Sequence, residues 1–240
     1  MSGQVNLKVS VLAVIIYSMN FLLTPTSSAA IKKENLIDIP ENFKMDYSIF
    51  CNYTEFSAAF LGPGYSQYFF SKNIYEVKGS RINKFSRNDL FPHCPYYVDA
   101  MVYSETTKKA YIFKGHEVFI YLYQNMKFHF LKRKIFGRGF PNIPEAAFTY
   151  KGNIYILKDK FLYLWSEERN TLVTDHVFPI SALWKNIPSE IDAVFESRNS
   201  NYIYFWKWNM RHMVYYQVDN SQGGVIKSGS FKSFFGFCSV

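Results

Sequence analysis

Ser57-Ala58-Ala59-Phe60, Asp99-Ala100-Met101-Val102, Glu145-Ala146-Ala147-Phe148 and Asp192-Ala193-Val194-Phe195 are four copies of one short pattern. Each is an acidic or small residue, then Ala, then two mostly apolar residues. The alanines stand at 58, 100, 146 and 193, so the copies are 42, 46 and 47 residues apart. A period in this range signals a stacked or radial repeat architecture. A second motif keeps phase with the first: Tyr68-Phe69-Phe70-Ser71-Lys72, Tyr111-Ile112-Phe113-Lys114, Tyr155-Ile156-Leu157-Lys158 and Tyr204-Phe205-Trp206-Lys207.

The sequence between the motifs has a common grammar. The Ala motif opens a short apolar strand, and a polar turn such as Gly62-Pro63-Gly64 or Lys151-Gly152-Asn153 follows. The Tyr motif supplies a second strand, and a Lys-centred turn leads to a third: Ile74 to Val77, Val118 to Tyr123, Phe161 to Trp165 or Met213 to Val218. A more irregular remainder holds a fourth, outer strand or a short helical turn. Short strands bounded by turn signals inside one repeat describe a four-stranded antiparallel blade. With 24 Phe and 19 Tyr, the composition suits pleated, half-buried surfaces. The expected fold is therefore all-β: a four-bladed β-propeller with blades at about 51–97, 98–142, 143–189 and 190–240. A sandwich has short strands too, but does not demand such a period.

Residues 1–30 have the layout of a secretory signal peptide. A polar start with Lys8 is followed by the mostly apolar Val9 to Leu23 and then by small residues ending in Ser28-Ala29-Ala30. The apolar run is short for a membrane span. The expected product is secreted, extracellular and without a membrane span. Its formal charge falls from +8 to +7 with the loss of Lys8. Residues 31–50 read as an N-terminal arm or linker. Of the three cysteines, Cys51 precedes the first repeat and Cys238 is third from the end, so a bond between them would tie first to last. Cys94 is left over, as a buried thiol or as a site of pairing between chains. A dimer through Cys94 or a blade edge stays open.

Together these residues resemble the hemopexin-like repeat family. Ile187-Pro188-Ser189-Glu190-Ile191-Asp192-Ala193-Val194-Phe195 carries the resemblance best, and Phe140-Pro141-Asn142-Ile143-Pro144 before Glu145 is a contracted version. The similarity runs from about Cys51 to Cys238. It implies one disc-shaped propeller whose first and last blades are joined by a Cys51–Cys238 disulfide. It also implies a central tunnel, where backbone carbonyls of the residues before each Ala hold Ca²⁺ or Na⁺. Those residues are Ser57, Asp99, Glu145 and Asp192. Converging carbonyls suit such hard cations.

Catalytic patterns are absent from the sequence. His116-Glu117 opens like a zinc-protease motif, but Ile120 stands where the second His is required. No P-loop, Gly-x-Ser-x-Gly or paired-Cys zinc pattern is present, so the expectation is a protein that is not an enzyme. The five histidines (His93, His116, His129, His176 and His212) are scattered. Carriage of haem, suggested by the family's namesake and by imidazole being a common axial ligand, or of another small ligand is the alternative function.

One basic run stands out: Lys127, His129, Lys132, Arg133, Lys134 and Arg138. On a secreted protein such a cluster suggests an acidic glycan, with Lys132, Arg133, Lys134 and Arg138 as contacts. It equally fits a solvated edge that discourages strand pairing. No nucleic-acid-binding module is recognisable. Asn52-Tyr53-Thr54 is an acceptor triplet for N-glycosylation at Asn52. The functional expectation is a non-catalytic binding module that engages an extracellular protein or acidic glycan through a propeller face or rim.

Overall fold

The computed structural model describes residues 50–51, 56–79, 81–197, 201–235 and 238, all within one compact unit. The signal segment 1–30, most of the arm and the Asn52 triplet lie outside the described residues. Four antiparallel sheets of four strands each are present among those described. Blade 1 holds β1 (Ala58–Leu61), β2 (Gln67–Phe70), β3 (Ile74–Lys78) and β4 (Arg81–Phe85). Blade 2 holds β5 (Ala100–Ser104), β6 (Lys109–Lys114), β7 (Glu117–Gln124) and β8 (Lys127–Ile135). Blade 3 holds β9 (Ala146–Tyr150), β10 (Asn153–Lys158), β11 (Phe161–Ser166) and β12 (Thr171–Pro179). Blade 4 holds β13 (Ala193–Glu196), β14 (Tyr202–Trp208), β15 (Met213–Asp219) and β16 (Val225–Ser230). Strands follow chain order within every sheet, the meander that the turn spacing predicts.

Tight hairpins make the meander. Lys151 and Gly152 join β9 to β10 with φ of 48° and 76°, and Asn125 and Met126 join β7 to β8 with φ of 51° and 58°. Two successive positive φ values give the turn whose twist matches paired strands. Short helices α1 (Arg87–Leu90) and α2 (Phe231–Phe234) follow the outer strands of blades 1 and 4. Ser86 and Ser230 cap them by accepting from Asp89 and Ser233 amides.

The core lies between blades. The inner strands close a ring, with β1 on β5, β5 on β9, β9 on β13 and β13 on β1. Alternate residues of an inner strand face opposite neighbours: Ala58 packs toward blade 2 and Ala59 toward blade 4. Both faces are thus buried, which explains an apolar run in place of polar alternation. Space is smallest nearest the axis, so the innermost position takes Ala, while Phe and Tyr fill the wider spaces further out. Trp206, fully buried between blades 4 and 1, lies 5.7 Å from Phe56 and 6.2 Å from Phe69 by ring centroids.

The ring is locked where it begins and ends. Cys51 and Cys238 form a disulfide across 187 residues of sequence, with Cα atoms 5.3 Å apart. Phe50 plugs the same junction, its ring 5.1 Å from Phe231 and 5.3 Å from Phe235. Cys94 carries a free, half-buried thiol. Burial pushes that thiol's pKa up to about 12, against the opposing pull of Arg87.

Candidate functional site

Ser57, Asp99, Glu145 and Asp192 come together at one mouth of the ring, around a cavity of about 340 Å³ walled also by Ile143, Ile191 and Trp208. One backbone device places all four. The Ala of each motif is in register with Phe70, Phe113, Leu157 or Trp206. The amide of the residue before the Ala donates to that same residue's carbonyl, at 2.8, 3.0, 2.9 and 2.8 Å in blades 1 to 4. Two inner-strand residues therefore oppose one, and a bulge of this kind ends regular pairing and re-aims the chain. The fourfold motif is a fourfold bulge.

The acidic side chains have a second task that the sequence reading missed. Asp99 accepts from the Gly115 amide at 2.6 Å and from Lys114 Nζ at 2.8 Å. Asp192 accepts from the Trp208 amide at 2.6 Å. Each carboxylate thus staples the far end of the second strand to the start of the first, which links the two sequence motifs physically. Charge-assisted bonds of this kind are among the stronger ones. In blade 4 the motif lysine, Lys207, turns instead to Glu190 at 3.2 Å and the Ser189 carbonyl at 2.8 Å. The signal in the sequence was an acid sixteen residues ahead of a turn in two separate blades.

Glu145 is held less completely. Lys158 Nζ reaches its Oε1 at 3.3 Å, while Oε2 is buried with no hydrogen-bond partner. Burial raises its pKa, opposed by the Asp159 main chain and by Lys158. Among the described residues no three His, Cys, Asp or Glu side chains gather as a metal site. The donors at this mouth would be main-chain oxygens with a nearby unsatisfied carboxylate oxygen, a set that fits a hard cation.

At the opposite end of the inner strands, Ser104 is buried and donates to Glu167 at 2.8 Å. Thr107 and Tyr111 donate to the other oxygen of Glu167 at 2.5 and 3.3 Å. One carboxylate thus ties blade 3 to three hydroxyls of blade 2. No sequence motif marked it.

The basic run forms β8, the outer edge of blade 2. A register shift between Ile120 and Tyr121 leaves Leu131 as an extra residue there. Lys132 pairs with Ile120, Arg133 with Phe119 and Lys134 with Val118, so Arg133 lies on the face opposite the two lysines. Arg133 pairs with Glu117 and sits 5.7 Å above the Phe119 ring. Lys134 donates to the Asn170 carbonyl of blade 3 at 2.9 Å and lies 4.9 Å from the Phe136 ring. Lys127, Lys132 and Arg138 are exposed. The three consecutive cations therefore share an edge without sharing a face.

The histidines are dispersed: His93 packs on Phe130 at 5.2 Å, His129 contacts the Gln124 carbonyl at 3.1 Å, and His116 occupies a strand turn. His176 lies in β12, and the His212 amide donates to Asn209 at 3.0 Å. Glu117 and Ile120 lie on β7, so the His116-Glu117 pair opens no helix.

No family model matches the chain. Over 65 residues, 27% of the chain, it is 35% identical to stromelysin-1 of Equus caballus; the match spans 13% of that protein's length. Among solved structures it is similar to LS24, a seed albumin from Lathyrus sativus, with a TM-score of 0.61 and 19% identity over 76% of this chain and 95% of that one. The hemopexin fold protein CP4 from cow pea gives a TM-score of 0.61 and 16% identity, over 78% and 98%. A plant lectin with two metal binding sites from Cicer arietinum gives 0.58 and 19%, over 75% and 94%. At these identities the similarity establishes the fold.

Proposed function

We propose that this chain, a single hemopexin-like four-bladed propeller, is a secreted non-catalytic binding module whose blade 2 edge engages an acidic glycan or acidic protein outside the cell. The observation that carries this reading is β8 itself. Lys127, Lys132 and Arg133 are exposed along an unpaired strand edge, Arg138 extends the row, and Glu117 is the acid that answers them there. Cations divided between two faces of an edge suit a flexible polyanion that wraps the rim better than a flat surface. The Cys51–Cys238 bond supports an oxidising, extracellular setting, consistent with a signal at 1–30.

The tunnel mouth serves stability in this reading. A Ca²⁺ or Na⁺ ion there would supply positive charge shared among four inner strands. The carbonyls of Ser57, Asp99, Glu145 and Asp192 would hold it. The chain's own part is to fix those residues by their bulges and to keep Asp99 and Asp192 engaged with their turns.

Heparin chromatography tests the binding role. The wild-type chain should be retained and elute with salt, because exposed charges are screened within about 8 Å at physiological ionic strength. Replacing Lys132, Arg133 and Lys134 with Ala should lower the eluting salt sharply. Unchanged retention would sink the assignment to β8.

A further inference from the structure

Between the loop that leaves blade 2 and the outer strand of blade 3 lies a groove of about 350 Å³, within the size range of small-molecule sites. Phe136, Phe140, Tyr163, Leu172 and Val173 wall it, with the Phe136 and Phe140 rings stacked at 4.6 Å. Two local departures from the repeat create it. In blade 3 the ladder passes from Trp165–Leu172 to Tyr163–Val177, so β12 advances five residues while β11 retreats two. The outer ladders of blades 2 and 4 each admit a single extra residue, and that of blade 1 none. The stretch from Val173 to His176 is thus an arch standing off its sheet. Facing it, the Gly137-Arg138-Gly139 loop turns at Gly139, whose φ of 96° disfavours any side chain.

The charged residue in the wall of this groove is a cation, and Asp175 of the arch stands outside the lining. Arg138 lines it and is exposed, while no acidic side chain is among its walls. Lys134 sits at its edge, 4.9 Å from the Phe136 ring. An apolar trough with a cationic lip is complementary to a molecule of the opposite build. We propose that this groove binds a small amphipathic carboxylate, its apolar body on Phe136, Phe140 and Leu172 and its carboxylate on the Arg138 guanidinium. The planar guanidinium fork matches a carboxylate's two oxygens. Such a ligand would be a monomeric acid with an aliphatic or aromatic body; it shares Arg138 with the polyanion row along β8 but adds the apolar contacts of Phe136, Phe140 and Leu172.

The test uses the full chain and anilinonaphthalene sulfonate as a fluorescent probe, displaced by decanoate or by decan-1-ol. The wild type should bind the probe saturably at one site, and both competitors should displace it. Arg138→Ala should weaken decanoate by about tenfold or more, the worth of one charge-assisted hydrogen bond, and leave decan-1-ol unchanged. Thr174→Trp, at an exposed position on the arch, should fill the groove and abolish displacement by both while the melting temperature holds. The proposal is overturned by any of three results: no saturable binding to the wild type, decanoate displacement that survives Thr174→Trp, or equal responses of acid and alcohol to Arg138→Ala.

Discussion

Replacing Cys51 and Cys238 together with Ala should cost the protein about 5 kcal/mol. The bond spans 187 residues, and the chain-entropy relation for a loop of that length gives about 5 kcal/mol at 25 °C, drawn from the unfolded state. The folded ring should survive, because Phe50, Phe56, Trp206, Phe231 and Phe235 still pack blade 4 on blade 1. Urea unfolding followed by near-ultraviolet circular dichroism separates the two effects. With a slope of about 2 kcal/mol per molar, the midpoint should fall by roughly 2–3 M while the native aromatic spectrum is kept. A loss under about 1 kcal/mol would show that aromatic packing closes the ring and that the bond constrains little. A native spectrum that collapses in the variant would refute the separation of bond from packing.

Asp99→Ala should lower stability by about 2 kcal/mol, since it strands the buried-side amide of Gly115 and releases Lys114; Asp99→Asn, which keeps an acceptor, should restore part of this in the same urea assay. Glu145 binds its proton more tightly folded than unfolded, so its favourable contribution is complete below the ordinary carboxylate value of 4.5 and is lost as pH rises through the raised value. Glu145→Gln should therefore match the wild type at low pH and gain on it above that range; Ca²⁺ should raise the wild-type melting temperature more than the variant's. A variant that loses stability toward neutral pH would reverse this sign. The Cys94 thiol, pushed up to about 12, should react slowly with a thiol-specific disulfide reagent at pH 8 and rapidly once urea unfolds the chain. Fast native labelling would mean the thiol is neither buried nor protonated.

The inner half of each blade was legible because its physics is repetitive. Ala58, Ala100, Ala146 and Ala193 occupy the narrowest part of the ring, and the Tyr-motif strands are buried against neighbouring blades on both sides. Burial of that kind writes an apolar run at a fixed period. Outer strands carry no such pattern: β12 is exposed through Thr174, Asp175 and His176, and β16 through Ile226, Lys227 and Ser228. Their residues are free to vary, so the sequence could offer only an irregular remainder. The staple from Asp99 to Gly115 was hidden for another reason. The acid announced itself as part of the tunnel, and its bond to a turn sixteen residues on depends on a bulge that no local propensity encodes. The basic run shows the converse. Adjacent cations read as a cluster along the chain, but strand alternation sends Arg133 one way and Lys132 and Lys134 the other. Glu167, tied to Ser104, Thr107 and Tyr111 more than fifty residues earlier, left no pattern to find.

Amide resonances followed through a titration with a heparin hexasaccharide test the binding reading most directly. The blade 2 edge account predicts saturable shifts confined to Lys127–Arg138 and its neighbours on β7, vanishing at 1 M salt, where the screening length is about 3 Å. Shifts centred on the tunnel mouth, or shifts that persist at 1 M salt, would contradict it.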